Sequence, residues 1–290
     1  MTSVLYDPPG PRGRRRIFAG TVLASLALLA GAVWVVKRLA DQGQFESALW
    51  QPFTDPDIQH TILMGAVGTL KAAGLAIVCS MVVGAVLAMG RLSDHRPVRW
   101  VSTVIVEISR SIPLLLLMLA LFLAYPKQLG SLGALVLGLT IYNGSVLAEV
   151  FRAGIKALPR GQSEAAFALG LRKNQVMRLI LLPQAIRSML PALISQCVVT
   201  LKDTALGYII LYPELLSTGK SIYGTYFNII PTAIVIGTIY ITTNVLISKL
   251  AEYLQRRSAR RQKKQLGQAT VMPLDPLAAV EAAASSGTAI

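Results

Sequence analysis

Long apolar runs, separated by short stretches rich in Arg and Lys, make up most of the chain. Six of these runs are candidate membrane spans: residues 17–36, 58–89, 100–125, 132–150, 187–203 and 229–250. A helix needs about 17–25 predominantly apolar residues to cross a bilayer, so the pattern predicts six transmembrane helices. Run 58–89 is longer than a bilayer needs, ~48 Å as a helix at ~1.5 Å per residue. We therefore expect it to begin at the interface near His60 and to span the membrane from about Gly68 to Met89.

The positive charges between these runs fall into four clusters. They are Arg12, Arg14, Arg15 and Arg16; Arg91, Arg96 and Arg99 with His95; Arg152, Lys156, Arg160, Arg172, Lys173 and Arg178; and Arg256, Arg257, Arg260, Arg261, Lys263 and Lys264. Cytoplasmic loops carry an excess of Lys and Arg. With six spans, all four clusters fall on one side, so we expect both termini to be cytoplasmic.

Composition changes this picture little and excludes some alternatives. Hydrophobic residues are 53% of the chain and charged residues 14%, with a mean hydropathy of +0.57, which is unlike a soluble domain. The net charge of +14 is also found in nucleic-acid-binding proteins, but here the cations lie between apolar runs. We expect contact with membrane lipid and none with nucleic acid. Cys79 and Cys197 both lie within apolar runs, so neither a disulfide nor a metal site is expected.

The two ends are interpreted as tails, and the first span as an addition to a core. Residues 1–16 form a basic tail and residues 252–290 a basic, largely disordered one. Run 17–36 follows a basic segment, as the apolar part of a signal peptide would. The run is longer than the apolar region of a signal peptide, and no cleavage site precedes Lys37. It is therefore interpreted as a retained span. Residues 37–57 are expected to form an external loop.

Irregular features are expected at several points along the spans. Glu107 and Arg110 share one helical face at about mid-depth in run 100–125, and Pro113 removes a backbone hydrogen bond just after them. Residues 126–131 are interpreted as a short outer turn. Pro191 is expected to bend the fifth span.

A short helix is predicted within the basic loop of residues 152–183. Ser163 is a good N-cap, Glu164 suits the positive end of the helix dipole, and Gly170 is a good terminator. Residues 165–169 between them provide less than two helical turns. Such a helix is marginal in water and needs a surface to pack against; Phe167 and Leu169 are candidate anchors in a partner's groove.

The loop contains Glu164-Ala165-Ala166, followed by Gly170 and then Leu182-Pro183. This motif resembles the EAA loop of ABC importer permeases, and the further match through Lys202-Asp203-Thr204 is similar to the polar amino-acid uptake branch. The resemblance covers residues 58–251, and within this branch the chain is most similar to glutamate-type permeases. It implies an all-α polytopic fold with a MetI-like, type I importer core of five transmembrane helices, to which residues 17–36 add one. The short helix would be the coupling helix, formed by Glu164, Ala165, Ala166, Phe167, Leu169 and Gly170.

The resemblance also implies partners and a location. The implied partners are an ABC ATPase dimer, an extracellular or periplasmic amino-acid-binding protein, and a second permease copy or a paralogous permease. The implied location is a bacterial plasma membrane. The chain itself is expected to be non-catalytic and to hold no cofactor, because ATP and Mg would bind to the ATPase. Gly219-Lys220-Ser221 is not a Walker A loop, since Glu214 stands where a glycine is required. Residues 204–228 resemble the family's outer gate, with a short helix at Pro213–Leu216.

Candidate substrate-path residues are ionisable or polar groups in or near the spans. They are Lys71, Glu107, Arg110, Gln196, Thr200 and Asp203. Gln196, Thr200 and Asp203 form one helical stripe, and the resemblance implies that the first and last line the path. Asp203 could meet a substrate ammonium group and Arg110 a carboxylate, although these groups could instead only hold helices together, with Glu107 satisfying Arg110.

The resemblance also narrows the substrate. Relatives that carry cationic amino acids are expected to have an acidic residue at the position of Gln196. The neutral amide argues against arginine and lysine and leaves glutamate, glutamine or aspartate. An ion-gradient-driven secondary transporter is the alternative function, but no inverted repeat is evident.

Overall fold

The computed structural model describes residues 10–269, which form ten α-helices with shorter helical pieces between them. The first five are α1 (Pro11–Asp41), α2 (Pro56–Arg91), α3 (Arg96–Ser111), α4 (Leu114–Ala124) and α5 (Pro126–Lys156). The others are α6 (Arg160–Ala168), α7 (Lys173–Gln175), α8 (Leu182–Asp203), α9 (Leu215–Tyr226) and α10 (Ile229–Ala269). A π-helical segment (Val176–Leu181) joins α7 to α8, and a 3₁₀ helix (Thr204–Ile210) follows α8. The all-α prediction is confirmed.

The number of spans agrees with the apolar runs. Within residues 10–269, five helical stretches are long and apolar enough to cross a membrane, and the bent pair α3–α4 makes up to six. The two members of that pair meet at 98°. Pro113 stands at the break, and both it and Ile112 have extended backbone angles. A residue before proline is pushed out of the α region, so the sequence itself ends α3 here.

The chain divides into two compact units. One comprises the residues up to Leu63 together with Thr218–Thr238. Helix α1 has no buried residue, and two 3₁₀ helices, Ser47–Leu49 and Gln51–Thr54, follow it. The fully buried Asn228 donates from Nδ2 to the carbonyl oxygen of Leu49 at 3.0 Å, which holds this loop in place.

The other unit comprises Met64–Ser217 and the chain from Ile239 onward. Its main hydrophobic core is built by α2, α4, α5 and the segment after α8, with Met118, Leu135 and Leu139 fully buried. Small residues allow this close packing. A side chain on Gly84 would come within 2.8 Å of Leu147 Cβ and 2.9 Å of the Gly144 carbonyl oxygen, so α2 and α5 are in near backbone contact.

Several boundaries differ from the sequence prediction. Helix α2 is continuous from Pro56, because no helix-breaking residue separates Asp57 from the span. The outer turn expected at 126–131 is instead the first turn of α5, which kinks at Gly130 (φ 59°). Helix α10 continues past the predicted span to Ala269. The rest of the predicted C-terminal tail, and residues 1–9 of the N-terminal one, lie outside the described residues.

The predicted helix at Pro213–Leu216 is misplaced. The helix, α9, begins at Leu215, and Glu214 caps it by accepting the backbone N–H groups of Leu216 (2.8 Å) and Ser217 (2.6 Å). Asp and Glu side chains near a helix N-terminus satisfy otherwise unpaired donors, so Glu214 ends the loop rather than continuing a helix. The loop is held against α2 because Tyr212 Oη donates to the Gly68 carbonyl oxygen at 3.0 Å.

Candidate functional site

A buried polar cluster joins α5 to α8. Asn143 of α5 is fully buried, and its Oδ1 accepts a hydrogen bond from Gln196 Nε2 of α8 at 2.6 Å. The Nδ2 of Asn143 forms no hydrogen bond of normal length among the residues described, and its nearest acceptor is the Asp203 carboxylate, with which the Asn143 side chain interacts as a hydrogen-bond donor. A buried donor without a partner costs about 1–3 kcal/mol. The cluster therefore offers a weakly bonded donor between two helices, which a ligand can satisfy better than Asp203 does.

Two threonines complete the surroundings of this cluster. Thr140 lies one turn before Asn143 on α5, and its buried hydroxyl has no hydrogen-bond partner in the part of the chain that the structure describes. Thr200 is also buried, but its hydroxyl donates to the Gln196 carbonyl oxygen of its own helix at 2.9 Å. As a predicted path residue, Thr200 therefore has only the remaining lone pairs of its hydroxyl oxygen to offer a ligand.

Asp203 ends α8 in a half-buried position, and within residues 10–269 it forms no ion pair. A carboxylate acceptor, an amide and a weakly bonded amide donor therefore lie together. This set matches the two charged groups that every amino acid carries, an ammonium and a carboxylate.

The other predicted path residues lie elsewhere in the structure. No hydrogen bond or ion pair between described residues joins Lys71, Glu107 or Arg110 to the Asn143 cluster. Lys71 and Arg110 have exposed side chains. The anticipated pairing of Glu107 with Arg110 is not formed, because Glu107 pairs with Arg91 at 3.3 Å instead.

Glu107 belongs to a charge network at the end of α2. Arg91 is only 10% exposed and also pairs with Glu149 of α5 at 2.8 Å. Glu149 in turn pairs with Arg152, which lies one turn further along α5. The network joins α2, α3 and α5 beside the start of the basic loop, so Glu107 lies level with these helix ends and not at mid-depth.

The short helix of the basic loop is longer than predicted and begins differently. Helix α6 starts at Arg160, directly after Pro159. The prediction that Ser163 caps it is wrong: the Ser163 hydroxyl donates to the Arg160 carbonyl oxygen from within the helix. Pro159 sets the start, because the residue before a proline is disfavoured in the α region.

The end of α6 is as predicted. Gly170 adopts φ +78°, its N–H donates to the Phe167 carbonyl oxygen (2.9 Å), and the Leu171 N–H donates to that of Ala166 (3.2 Å). This is the Schellman pattern, in which glycine is favoured because it tolerates positive φ.

One side of α6 packs within the chain, and its other residues are exposed. The helix lies against the π-helical segment, and Ala166 is buried. Glu164 and Ala165 are exposed, Phe167 is 50% exposed and Leu169 is 82% exposed. Two large apolar side chains thus stand uncovered in a basic loop, as a docking helix requires.

Comparison with known proteins decides the family. The model of the family described as "Binding-protein-dependent transport system inner membrane component" matches residues 80–260. The chain belongs to this family. It is therefore a multi-pass permease subunit of the bacterial plasma membrane, in a family whose members work with an ATPase and a substrate-binding protein, and it is not the catalytic component. Membership of this family does not favour the alternative function, an ion-gradient-driven secondary transporter.

Named relatives and solved structures agree with the family. The chain is 42% identical over 234 residues to the glutamate transport system permease protein GluD of Corynebacterium glutamicum, covering 78% of this chain and 86% of that protein. It is 35% identical to the glutamate/aspartate import permease protein GltK of Escherichia coli, covering 68% and 93%.

Two solved structures share the fold. An amino acid ABC transporter solved with histidines matches with a TM-score of 0.67 and 29% identity, covering 72% of this permease and 98% of that chain. The inward-facing MetNI methionine ABC transporter matches with a TM-score of 0.62 at 21% identity, covering 70% and 98%. The match to MetNI shows the predicted MetI-like fold.

Sequence reasoning missed Asn143, Thr140 and Arg91 as members of these clusters. Asn143 had a visible signal, since it is an amide inside the apolar run 132–150 and Thr140 precedes it by three residues. Polar residues inside a span are costly and mark functional positions. Arg91 had no such signal in the sequence, because it is indistinguishable there from the other cations of a cytoplasmic loop.

Proposed function

We propose that this permease forms the translocation path for a polar amino acid, with glutamate first among the candidates and glutamine and aspartate as the others. The observation that carries the proposal is the buried Asn143–Gln196–Asp203 cluster with its weakly bonded donor. Asp203 receives the substrate ammonium group, and Asn143 Nδ2 donates to the substrate carboxylate. The names of GluD and GltK support an acidic substrate.

Gln196 sets selectivity in this proposal. It is neutral and already bonded to Asn143 Oδ1, so it fixes the Asn143 amide with Nδ2 bonded only weakly, to the Asp203 carboxylate. A carboxylate at this position would attract a cationic side chain and repel an acidic one. The neutral amide therefore favours glutamate, glutamine or aspartate over arginine and lysine. Arg110 is exposed and without an ion-pair partner in residues 10–269, and since it lies apart from this cluster it is assigned to a different point of the path, where it meets a substrate carboxylate in transit.

Coupling to ATP is assigned to α6. Phe167 and Leu169 insert into a groove of the ATPase subunit, which binds ATP and Mg, and Glu164 and Ala165 lie at the same contact. ATPase closure moves α6 and so reorients the spans between inward-open and outward-open states. A separate binding protein delivers the amino acid from outside.

The path is tested with Gln196→Glu and Asp203→Asn in the complete transporter, reconstituted in vesicles with ATP inside. Asp203→Asn should reduce glutamate uptake at least tenfold with normal complex assembly. Gln196→Glu should lower glutamate uptake while raising competition by arginine. Lys202→Gln, next to Asp203 and exposed, is the matched control. Unchanged kinetics in Asp203→Asn would remove Asp203 from the path.

Coupling is tested with two glycines of the same loop. Gly170 needs positive φ, whereas a side chain on Gly161 meets nothing within 4 Å. Gly170→Leu should lower uptake and transport-stimulated ATPase activity together, and Gly161→Ala should change neither. Uptake driven by an ion gradient in vesicles without ATPase or nucleotide would contradict the whole assignment.

A further inference from the structure

A cavity of about 420 Å³ lies beside the ends of several spans, apart from the polar cluster. Its lining combines two kinds of side chain. Met89 and Leu182 come from the ends of α2 and α8, while Asp94, His95, Lys173 and Arg178 come from the short connections beside them. Apolar groups next to basic ones at the level where helices leave the bilayer match a lipid, which has both an acyl and a phosphate part.

The apolar part of the rim is uncovered. Met89 is 65% exposed and Leu182 is 36% exposed. Both belong to helices that are long and apolar enough to cross the membrane, so the side chains at the mouth of the cavity lie where lipid tails end. A soluble anion would gain nothing from this rim, whereas the upper part of an acyl chain would.

The cations of the cavity differ in whether they are neutralised. Lys173 pairs with Asp94, and this ammonium group keeps the pKa of the Asp94 carboxyl below its usual value. Arg178 forms no ion pair within residues 10–269. Its planar guanidinium can bind two phosphate oxygens at once. One basic group is thus free for an anion, and a second is held by a competing carboxylate.

We propose that this cavity binds the phosphate of an anionic membrane lipid of the cytoplasmic leaflet, with Arg178 as its main contact. Asp94 competes with the lipid for Lys173. When the phosphate takes Lys173, the Asp94 link between the α2–α3 connection and α7 opens. The bound lipid therefore loosens one tie next to the basic loop while it fills the cavity.

The experiment uses the purified transporter complex, exchanged into nanodiscs of phosphatidylcholine that contain a minor fraction of phosphatidylglycerol. Native mass spectrometry then counts the phosphatidylglycerol molecules that stay bound. Arg178→Gln should lower retention about fivefold, the contribution of one basic side chain near an anionic lipid surface. Asp94→Asn should raise retention, because it frees Lys173.

The matched control is Lys156→Gln, which removes an exposed cation from the end of α5 outside the cavity. It should leave retention unchanged. An equal loss in Lys156→Gln and Arg178→Gln would overturn the proposal, since it would reveal only diffuse surface charge. A fall in Asp94→Asn would overturn it as well. Displacement of the bound lipid by inorganic phosphate alone would assign the cavity to a free anion and reject the lipid.

Discussion

Two groups of carboxylates in this permease differ in how their charge is satisfied. Glu107 and Glu149 both pair with Arg91, and Glu149 also pairs with Arg152. Asp203 and Glu214 form no ion pair among the described residues, and Asp203 lies beside the weakly bonded Asn143 donor. A neutralised group can stabilise helix packing but has little left to offer a ligand. Both oxygens of Glu214 are used to cap α9, whereas Asp203 keeps bonding capacity for a ligand that binds and leaves.

The comparison yields a rule that experiments can break. Changes in the Arg91 network should alter stability and leave substrate affinity intact. Changes in the Asn143 cluster should alter affinity and leave stability intact. A variant of the Arg91 network that changed only substrate affinity, or a variant of the Asn143 cluster that changed only stability, would contradict the assignment of that region.

The largest effect is expected for Arg91→Gln. Removing one partner of a buried ion pair costs about 3–5 kcal/mol, and partial exposure of Glu107 and Glu149 lowers this to about 2 kcal/mol. The melting temperature of the purified complex should fall by about 4–8 °C. Arg91→Lys keeps the charge but not the forked geometry, so its fall should be smaller. A lowered substrate affinity with an unchanged melting temperature would place Arg91 in the path.

The next largest effect is expected at Glu214, which should make the folding stability depend on pH. Burial raises the pKa of Glu214 to about 7 from an ordinary 4.5. Between these values the folded protein keeps a proton that the unfolded chain has lost, so folding stability falls as the pH rises from about 4.5 to about 7 and then levels off.

The measurement is the melting temperature at about pH 5.5 and about pH 8, values that bracket the upper end of this range. Glu214→Gln should remove most of the difference, because the amide does not titrate, and its single oxygen still accepts one of the two N–H groups. Exposed Glu46→Gln is the control and should behave like the unchanged protein. An equal pH dependence in Glu214→Gln would show that other groups cause it.

Asn143→Leu separates the two regions most directly. Loss of the weakly bonded donor should raise the KM for uptake about tenfold, equivalent to about 1.4 kcal/mol. The melting temperature should change little, because the loss of the hydrogen bond from Gln196 Nε2 is offset by removal of a poorly satisfied buried donor. Ser145→Ala is the control on the same helix, because the Ser145 hydroxyl is bonded to the Tyr142 carbonyl oxygen at 2.7 Å.

The sequence predicted what depends on hydrophobicity and on strong local signals. The six apolar runs correspond to the candidate spans, and Gly170 and Pro113 act where their backbone preferences require. The start of α6 was missed because Pro159 outweighs the N-cap preference of Ser163. The helix near Pro213 was misplaced because Glu214 caps the helix from outside it.

The ion pairs could not be predicted, because they depend on three-dimensional neighbours. Glu107 and Arg110 are three residues apart and suit each other on one helix. The partner of Glu107 is Arg91, sixteen positions away on another helix. The break at Pro113 follows from a local preference, but the 98° angle between α3 and α4 is not encoded in any local pattern.

The smallest effects are expected when the same substitution, Thr to Val, is made at two buried threonines. The Thr69 hydroxyl donates to the Gly65 carbonyl oxygen at 3.2 Å and accepts the Leu215 N–H at 3.1 Å. Thr69→Val should therefore destabilise the complex by about 1 kcal/mol. Thr140→Val removes a hydroxyl without a partner in the described chain, so it should not destabilise.

Thr140→Val should instead raise the KM for glutamate uptake by up to about threefold, less than loss of the Asn143 donor, because a hydroxyl contributes a weaker neutral hydrogen bond. The same isosteric change would then lower stability at one threonine and affinity at the other. A loss of stability in Thr140→Val with an unchanged KM would mean that the hydroxyl is satisfied within the protein. The path would then narrow to Asn143, Gln196 and Asp203, the residues that face one another between α5 and α8.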